Sequence, residues 1–157
     1  MRLRTFALAA ALAAVTLAVC GNRSCVPLDP EEPEDGTVRL WVEHEVYPEE
    51  AQVPGIWQNR GAEPIWLPGC TTFTVERLDP VTGDWVDIGP TADCLWEGFA
   101  VKVEPGNDHE DGSPAWAIGT ERLHGQFWTG CRDGQPLSQS ECAGGPFDVW
   151  SRAFSTE

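Results

Sequence analysis

Phe73-Thr74-Val75-Glu76-Arg77-Leu78, Asp79-Pro80-Val81-Thr82-Gly83-Asp84, Trp85-Val86-Asp87-Ile88 is the stretch on which the fold turns. In its first part Phe73, Val75 and Arg77 alternate with Thr74 and Glu76. A period of two puts alternate side chains on opposite faces, which is the mark of a half-buried strand. The middle part is a turn on chemical grounds, since proline fixes φ and glycine supplies a positive φ. The third part returns as a second strand, so the whole reads as a hairpin.

The same grammar extends both ways. Val38, Leu40 and Val42 share one face, with Arg39 and Glu43 on the other. Gly55-Ile56-Trp57-Gln58 is a strand closed by the turn Asn59-Arg60-Gly61, and Pro64-Ile65-Trp66-Leu67-Pro68 is a short one. Phe99, Val101 and Val103 alternate with Ala100 and Lys102. Asn107 to Pro114 reads as an acidic loop, Trp116 to Ile118 as a short strand, Arg122 to Cys131 as a longer one, and Phe147 to Phe154 as the last. No window carries a capped helical period, and 13 prolines and 16 glycines break the chain at short intervals. Seven to nine short strands in an antiparallel, all-β sandwich over residues 37–157 are therefore expected.

The chain before residue 37 has a different character. Met1-Arg2-Leu3-Arg4 is a basic start, Phe6 to Val19 is apolar apart from Thr16, and Cys20 follows. This is the layout of a secretory signal over residues 1–19. The apolar run falls short of the roughly 20 residues that span a bilayer. Leu17-Ala18-Val19-Cys20 resembles a lipobox, which makes Cys20 the expected lipid attachment site and first mature residue. Val19 departs from the small residue usual there, and cleavage after Ala18 is the alternative. Residues 20–36 read as a flexible tether, because Pro27, Pro30 and Pro33 interleave with Asp29, Glu31, Glu32, Glu34 and Asp35. The protein is thus expected to be exported and lipid-anchored to the cell envelope, or otherwise periplasmic or secreted.

Twenty-five acidic against 10 basic residues give a net charge of −15, which becomes −17 without Arg2 and Arg4. Such a chain repels nucleic acid and anionic lipid, so a membrane is reached only through the lipid on Cys20. An acidic surface also keeps an exported domain soluble without any binding role.

Six cysteines in an exported chain read as disulfides. Cys70 follows the strand ending at Leu67 and Cys94 precedes a strand beginning near Leu95. The hairpin between them returns the chain toward its start, so the two are expected to pair. Cys131 and Cys142 bracket a polar loop between the last two strands and form the second expected pair. Lipid on Cys20 would leave Cys25 over; without it, Cys20 and Cys25 can pair. The even cysteine count favours the unlipidated form, while the motif favours lipid.

The order of several short segments resembles bacterial immunoglobulin-like β-sandwich domains of secreted or lipoprotein type. Ile56-Trp57-Gln58-Asn59-Arg60-Gly61 with Pro64-Ile65-Trp66-Leu67 resembles their strand, Asn, turn, strand opening. Gly83-Asp84-Trp85 after Val75-Glu76-Arg77-Leu78 resembles their second hairpin. Val103-Glu104-Pro105-Gly106 resembles the strand ending in a Pro-Gly turn, and Ser151-Arg152-Ala153-Phe154 the terminal Ser-x-x-Phe strand. Leu123-His124-Gly125-Gln126-Phe127 stands where a Gly followed by Tyr-Arg is usual; Phe127-Trp128 and the cysteine loop 131–142 are departures. The resemblance implies a surface or secreted module and transfers no function. The Asn-turn and Gly-x-Trp features are also similar to small secreted β-sandwich proteinase inhibitors.

No catalytic constellation stands out. His44-Glu45 precedes Val46-Tyr47-Pro48 in a strand pattern, so it is no zinc-protease helix. His44, His109 and His124 are far apart, and with so many carboxylates a glycosidase-like pair carries no signal. Asn107-Asp108-His109-Glu110-Asp111-Gly112 fails as an EF-hand, with His109 at position three and Ile118 at twelve. No metal, cofactor or catalytic residue is therefore expected. Eight tryptophans (Trp41, Trp57, Trp66, Trp85, Trp96, Trp116, Trp128 and Trp150) are more than a small sandwich buries whole. They either cover core edges and disulfides or form an aromatic platform for sugar or peptide. The expected function is a non-enzymatic binding or structural module for an extracellular or periplasmic protein or glycan. The alternative is a secreted protease inhibitor acting through the closed loop 131–142, since a closed loop loses less entropy on binding.

Overall fold

The computed structural model of the chain describes residues 38–90, 94–114 and 118–157. The expected signal segment, the tether, Cys20 and Cys25 lie outside them, as does Trp116. The described chain is all-β, with a single 3-10 turn at Leu137–Gln139.

Two strands organise everything else. β3 (Gln52–Asn59) turns Val53, Gly55, Trp57 and Asn59 inward and its intervening residues outward. It pairs on one side with β1 (Val38–Trp41) and on the other with β8 (Asp108–Pro114), giving a three-stranded antiparallel sheet. β9 (Gly119–Thr129) is the spine of the second sheet. One of its edges holds β5 (Phe73–Leu78) and then β4 (Ile65–Leu67). The other holds β11 (Phe154–Thr156) and then β10 (Gly144–Trp150). β6 (Trp85–Pro90) extends the sheet beyond β5, β7 (Val101–Val103) beyond β4, and β2 (Val46–Tyr47) beyond β11. The last contact is parallel, where only antiparallel pairs were expected.

Both sheets feed one core, which includes Val38, Leu40, Val53 and Trp57 from the first and Ile65, Phe73, Val75, Leu123 and Phe154 from the second. An arrangement of two sheets around a shared apolar layer is consistent with a β-sandwich. Trp57 lies against Gly125 at its centre. A Cβ on Gly125 would sit 2.3 Å from Trp57 Cζ2, so the indole fits only because β9 has no side chain there. The Trp57 N–H is buried without a partner.

Several sequence expectations are corrected. The stretch 107–114 is not a loop: Asp108 to Pro114 is β8, in full register with β3. Its charges misled because an edge strand can carry polar side chains while its backbone is paired; such charge is how edges are guarded. Eleven strands occur among the described residues, against seven to nine expected. The count rises because the final strand breaks at residues 151–153 into β10 and β11, and because the two-residue β2 had no pattern to read. His44-Glu45 lies between β1 and β2, where the chain crosses from one sheet to the other, and not in a strand. The strand expected near Leu95 starts only at Val101, which leaves Phe99 outside it.

Two polar knots explain motifs read above. Asn59 is fully buried and satisfied: its Nδ2 donates to the Glu63 and Val103 carbonyls at 2.9 Å each, and its Oδ1 accepts from the Gly61 N–H. It thereby fixes the turn into β4 and its distance from β7. Arg152 stacks on Trp41 and donates to the carbonyls of Val42 and Glu43. With Glu45 as its ion-pair partner, it pins the crossing between the two sheets.

Candidate functional site

The two expected bridges exist and converge on one region. Cys70, three residues beyond β4, is bonded to Cys94, with Cα atoms 6.1 Å apart. Cys131, two residues beyond β9, is bonded to Cys142, with Cα atoms 4.1 Å apart. Each closes a loop of its own, and loop 131–142 is laced beside β7 to the segment that follows Cys94.

The lacing runs in sequence order. Asp133 accepts from Trp66 Nε1 at 3.2 Å and from Lys102 Nζ at 3.3 Å. Two residues on, the Gln135 carbonyl accepts from the Ala100 N–H. Three further on, Ser138 donates from both its N–H and its hydroxyl to the Glu97 carboxylate. Loop 131–142 therefore runs antiparallel to residues 97–102 and clamps them. The hydrogen bonds that the Lys102 ammonium donates to Glu104 and Asp133 raise its pKa above the ordinary value.

A close backbone contact completes the brace. A Cβ on Gly69 would lie 1.9 Å from the Phe99 carbonyl oxygen, and one on Gly98 2.9 Å from the Gly69 carbonyl carbon. Gly98 also has φ +74°, a conformation that L side chains rarely adopt. The sequences Pro68-Gly69-Cys70 and Glu97-Gly98-Phe99 are thus shaped to touch each other through bare backbone.

This apparatus holds three apolar side chains in water. Leu95 is fully exposed, Trp96 is 56% exposed and Phe99 58% exposed. Trp96 and Phe99 meet edge to face at 5.1 Å, which fixes their relative orientation. Burying such a side chain against a partner is worth about 1.5–3 kcal/mol each. A rigid loop retains more of that gain, because little freedom remains to be lost. Sequence reading missed this trio. No local signal marked it, since Phe99 continues the alternation of Val101 and Val103.

The loop named as a protease-binding candidate does not project by itself. Pro136 is buried, Leu137 is half-buried, and residues 137–139 form a 3-10 turn. Its exposed residues are Arg132-Asp133-Gly134, Ser138, Gln139 and Glu141, with Arg132 paired to Glu141.

The tryptophans mostly serve as covers. Trp57 is in the core, Trp66 lies under the clamp, and Trp41 carries Arg152. On the outer face of the large sheet, Arg122 lies over Trp85 at 4.3 Å and Trp150 at 5.5 Å. His124 stacks on Trp150 at 4.8 Å, with its ring nitrogens 3.6 Å from Glu76 and 2.9 Å from Asp148. A hydrogen bond from Gln126, aided by His124, lowers the Asp148 pKa below the usual carboxylate range. A cleft of about 340 Å³ opens beside this cluster, lined in part by Thr74, Asp87, His124 and Gln126. Ring faces of Trp85 and Trp150 there are occupied by Arg122 and His124.

Among the described residues no group of three or more His, Cys, Asp or Glu could hold a metal ion. Asp108 is paired with Arg60 at 2.6 Å, which lowers its pKa, and Asp111 accepts from Thr72. No helix among the described residues is long and apolar enough to cross a membrane. The two disulfides are consistent with an exported protein. No family model, curated protein or solved structure matches the chain.

Proposed function

We propose that this chain is an exported, immunoglobulin-like, non-enzymatic binding module that recognises a protein through Leu95, Trp96 and Phe99. The exposed trio, on a segment tied at Cys94 by one disulfide and clamped by the disulfide-closed loop 131–142, is the observation that carries the reading. Monomeric domains seldom leave large apolar groups adjacent in water unless something covers them, and aromatic anchors of this kind dominate protein recognition. The net charge of −15 disfavours an anionic bilayer as the partner.

The immunoglobulin-like assignment has support in strand order. β1-β3-β8 stands against β6-β5-β9-β10, and after β1 the chain leaves the first sheet so that β2 runs parallel to β11 in the second. Those relations resemble strands A-B-E against C′-C-F-G, with the first strand switching sheets. Where antibody domains carry a disulfide between B and F, this chain sets Trp57 against Gly125. Lipid on Cys20 would hold such a module at the envelope, and mass spectrometry of the native N-terminus decides it.

The test is site-specific photo-crosslinking in the producing cells. A photoreactive residue at position 96 should give one discrete protein adduct, and one at Val81, on the exposed β5–β6 turn, should not. Equal adducts from both positions, or none from 96, would overturn the proposal. The inhibitor reading draws on the exposed Arg132-Asp133-Gly134 segment. Titration against trypsin-like and other secreted proteases tests it, with stoichiometric loss of protease activity as the positive result.

A further inference from the structure

Among the described residues, the second sheet has an edge that is covered along only half its length. The crossing pinned by Arg152 delivers β2 to β11, so that part of the edge is paired. The adjoining strand, β10, pairs with β9 alone among the described residues. An uncovered strand presents a row of backbone donors and acceptors to solvent. The bulge at Gly145-Pro146 ends the usable row and leaves residues 147–150.

Directly inside this edge lies an apolar groove of about 380 Å³, at the open side between β1 and β10. Val38, Ile65, Phe127 and Phe147 line it, and Phe147 is 45% exposed with its ring 5.1 Å from that of Phe127. Backbone pairing sites beside an apolar slot are the two components of recognition by strand addition: the ladder supplies affinity, and the slot takes alternate side chains. The other sheet's free edge, β8, lacks this pairing of features and carries Asp108, Glu110 and Asp111.

Charge selects the occupant. Glu63 lines the groove and Asp148 stands on the edge strand, in a chain of net charge −15. A second copy would bring the same negative charge, and the chain's own residues 26–36 carry five carboxylates. We infer that the open edge of β10 binds an extended peptide segment of a partner, in which apolar residues alternate with Lys or Arg. This surface is independent of the Trp96 region, and either proposal can fail without the other.

The experiment uses the mature protein and a synthetic nonapeptide alternating valine with lysine. Ser151 donates its N–H to the Leu123 carbonyl, so by antiparallel alternation the amides of Asp148 and Trp150 face outward; their hydrogen exchange should slow on titration, with saturable binding. Phe147→Asp, which puts a charge into the slot, should weaken binding at least tenfold. Should that variant not fold, Asp148→Lys serves in its place and should weaken the basic peptide by a similar factor. A glutamate-for-lysine version of the peptide should not bind. Failure to saturate, protection elsewhere, or equal affinity for the acidic peptide would overturn the inference. So would slow exchange at Asp148 and Trp150 before peptide is added, which would mean that the chain itself or a second copy already occupies the edge.

Discussion

Gly125→Ala tests the central packing of the domain. The added Cβ would lie 2.3 Å from Trp57 Cζ2, 2.7 Å from Cη2 and 3.1 Å from the Thr72 carbonyl oxygen. Contacts below 3 Å cannot persist, so the indole or β9 must shift. Trp57 is fully buried in the core that also holds Val53, Phe73 and Leu123. Overpacking of this kind costs about 1–3 kcal/mol, and the backbone contact puts the expectation near 2. At roughly 3–6 °C per kcal/mol for a domain of this size, the midpoint should fall by about 6–12 °C. Thermal and urea unfolding under oxidising conditions measure it. The same substitution should cost under about 1 kcal/mol in a Trp57→Phe background, because Phe lacks the Cζ2 and Cη2 atoms. Trp57→Phe also removes the unpartnered indole N–H, which offsets some of the lost burial. A Gly125→Ala protein within 0.5 kcal/mol of the parent, or an equal loss in both backgrounds, would refute the reasoning.

Further expectations concern the bridges, the buried ion pair, the loop contact and acid stability. Removing Cys70–Cys94 should cost about 3.5 kcal/mol and Cys131–Cys142 about 2.8 kcal/mol on loop entropy alone, for closed loops of about 25 and 12 residues; urea unfolding of the paired Cys→Ser variants reads both. Glu121 is fully buried and is met by Arg77 Nε at 3.2 Å, so Arg77→Met should lose about 3–5 kcal/mol and Arg77→Met with Glu121→Leu should recover most of it. Gly69→Ala, whose Cβ would strike the Phe99 carbonyl, should free residues 94–99 while leaving the core intact; faster exchange confined to those amides is the expected result. The pKa values of Asp108 and Asp148 are lowered in the fold, so their contribution is present above the ordinary carboxylate range and lost as pH falls through the lowered values. Asp148→Asn should therefore flatten the acid limb of the stability curve below about pH 4, in an amount kept small by solvent exposure.

Strand identity was legible wherever a period of two met a turn with its own chemistry. Phe73 to Ile88 is a hairpin in the structure as in the sequence, because alternation and the Asp-Pro-x-x-Gly turn are both local. Both disulfide pairs followed from local reasoning about the hairpin and loop they close, although Cys94 stands well before the strand it was expected to precede directly, which starts at Val101. β8 escaped for the opposite reason. Its side chains are those of an exposed edge, and only β3, about 50 residues earlier, makes it a strand. Trp57 and Gly125 look unrelated in the chain, yet the size of one depends on the absence of a side chain on the other.

By itself, the sequence determined the all-β class, the positions of the turns, the acidic charge and the cysteine pairs, because these depend on residues near one another or on composition. Only the tertiary structure decided which apolar groups stay in water. Leu95, Trp96 and Phe99 have the chemistry of core residues, and nothing local separates them from Val101 or Val103. They are outside because backbone contact at Gly69 and Gly98, the Cys70–Cys94 bridge and the Ser138–Glu97 clasp hold their loop away from the core. The open edge of β10 has the same origin. Arg152 and Val42 are more than a hundred residues apart, and their hydrogen bond sets where the chain changes sheets and which half of the edge is left uncovered.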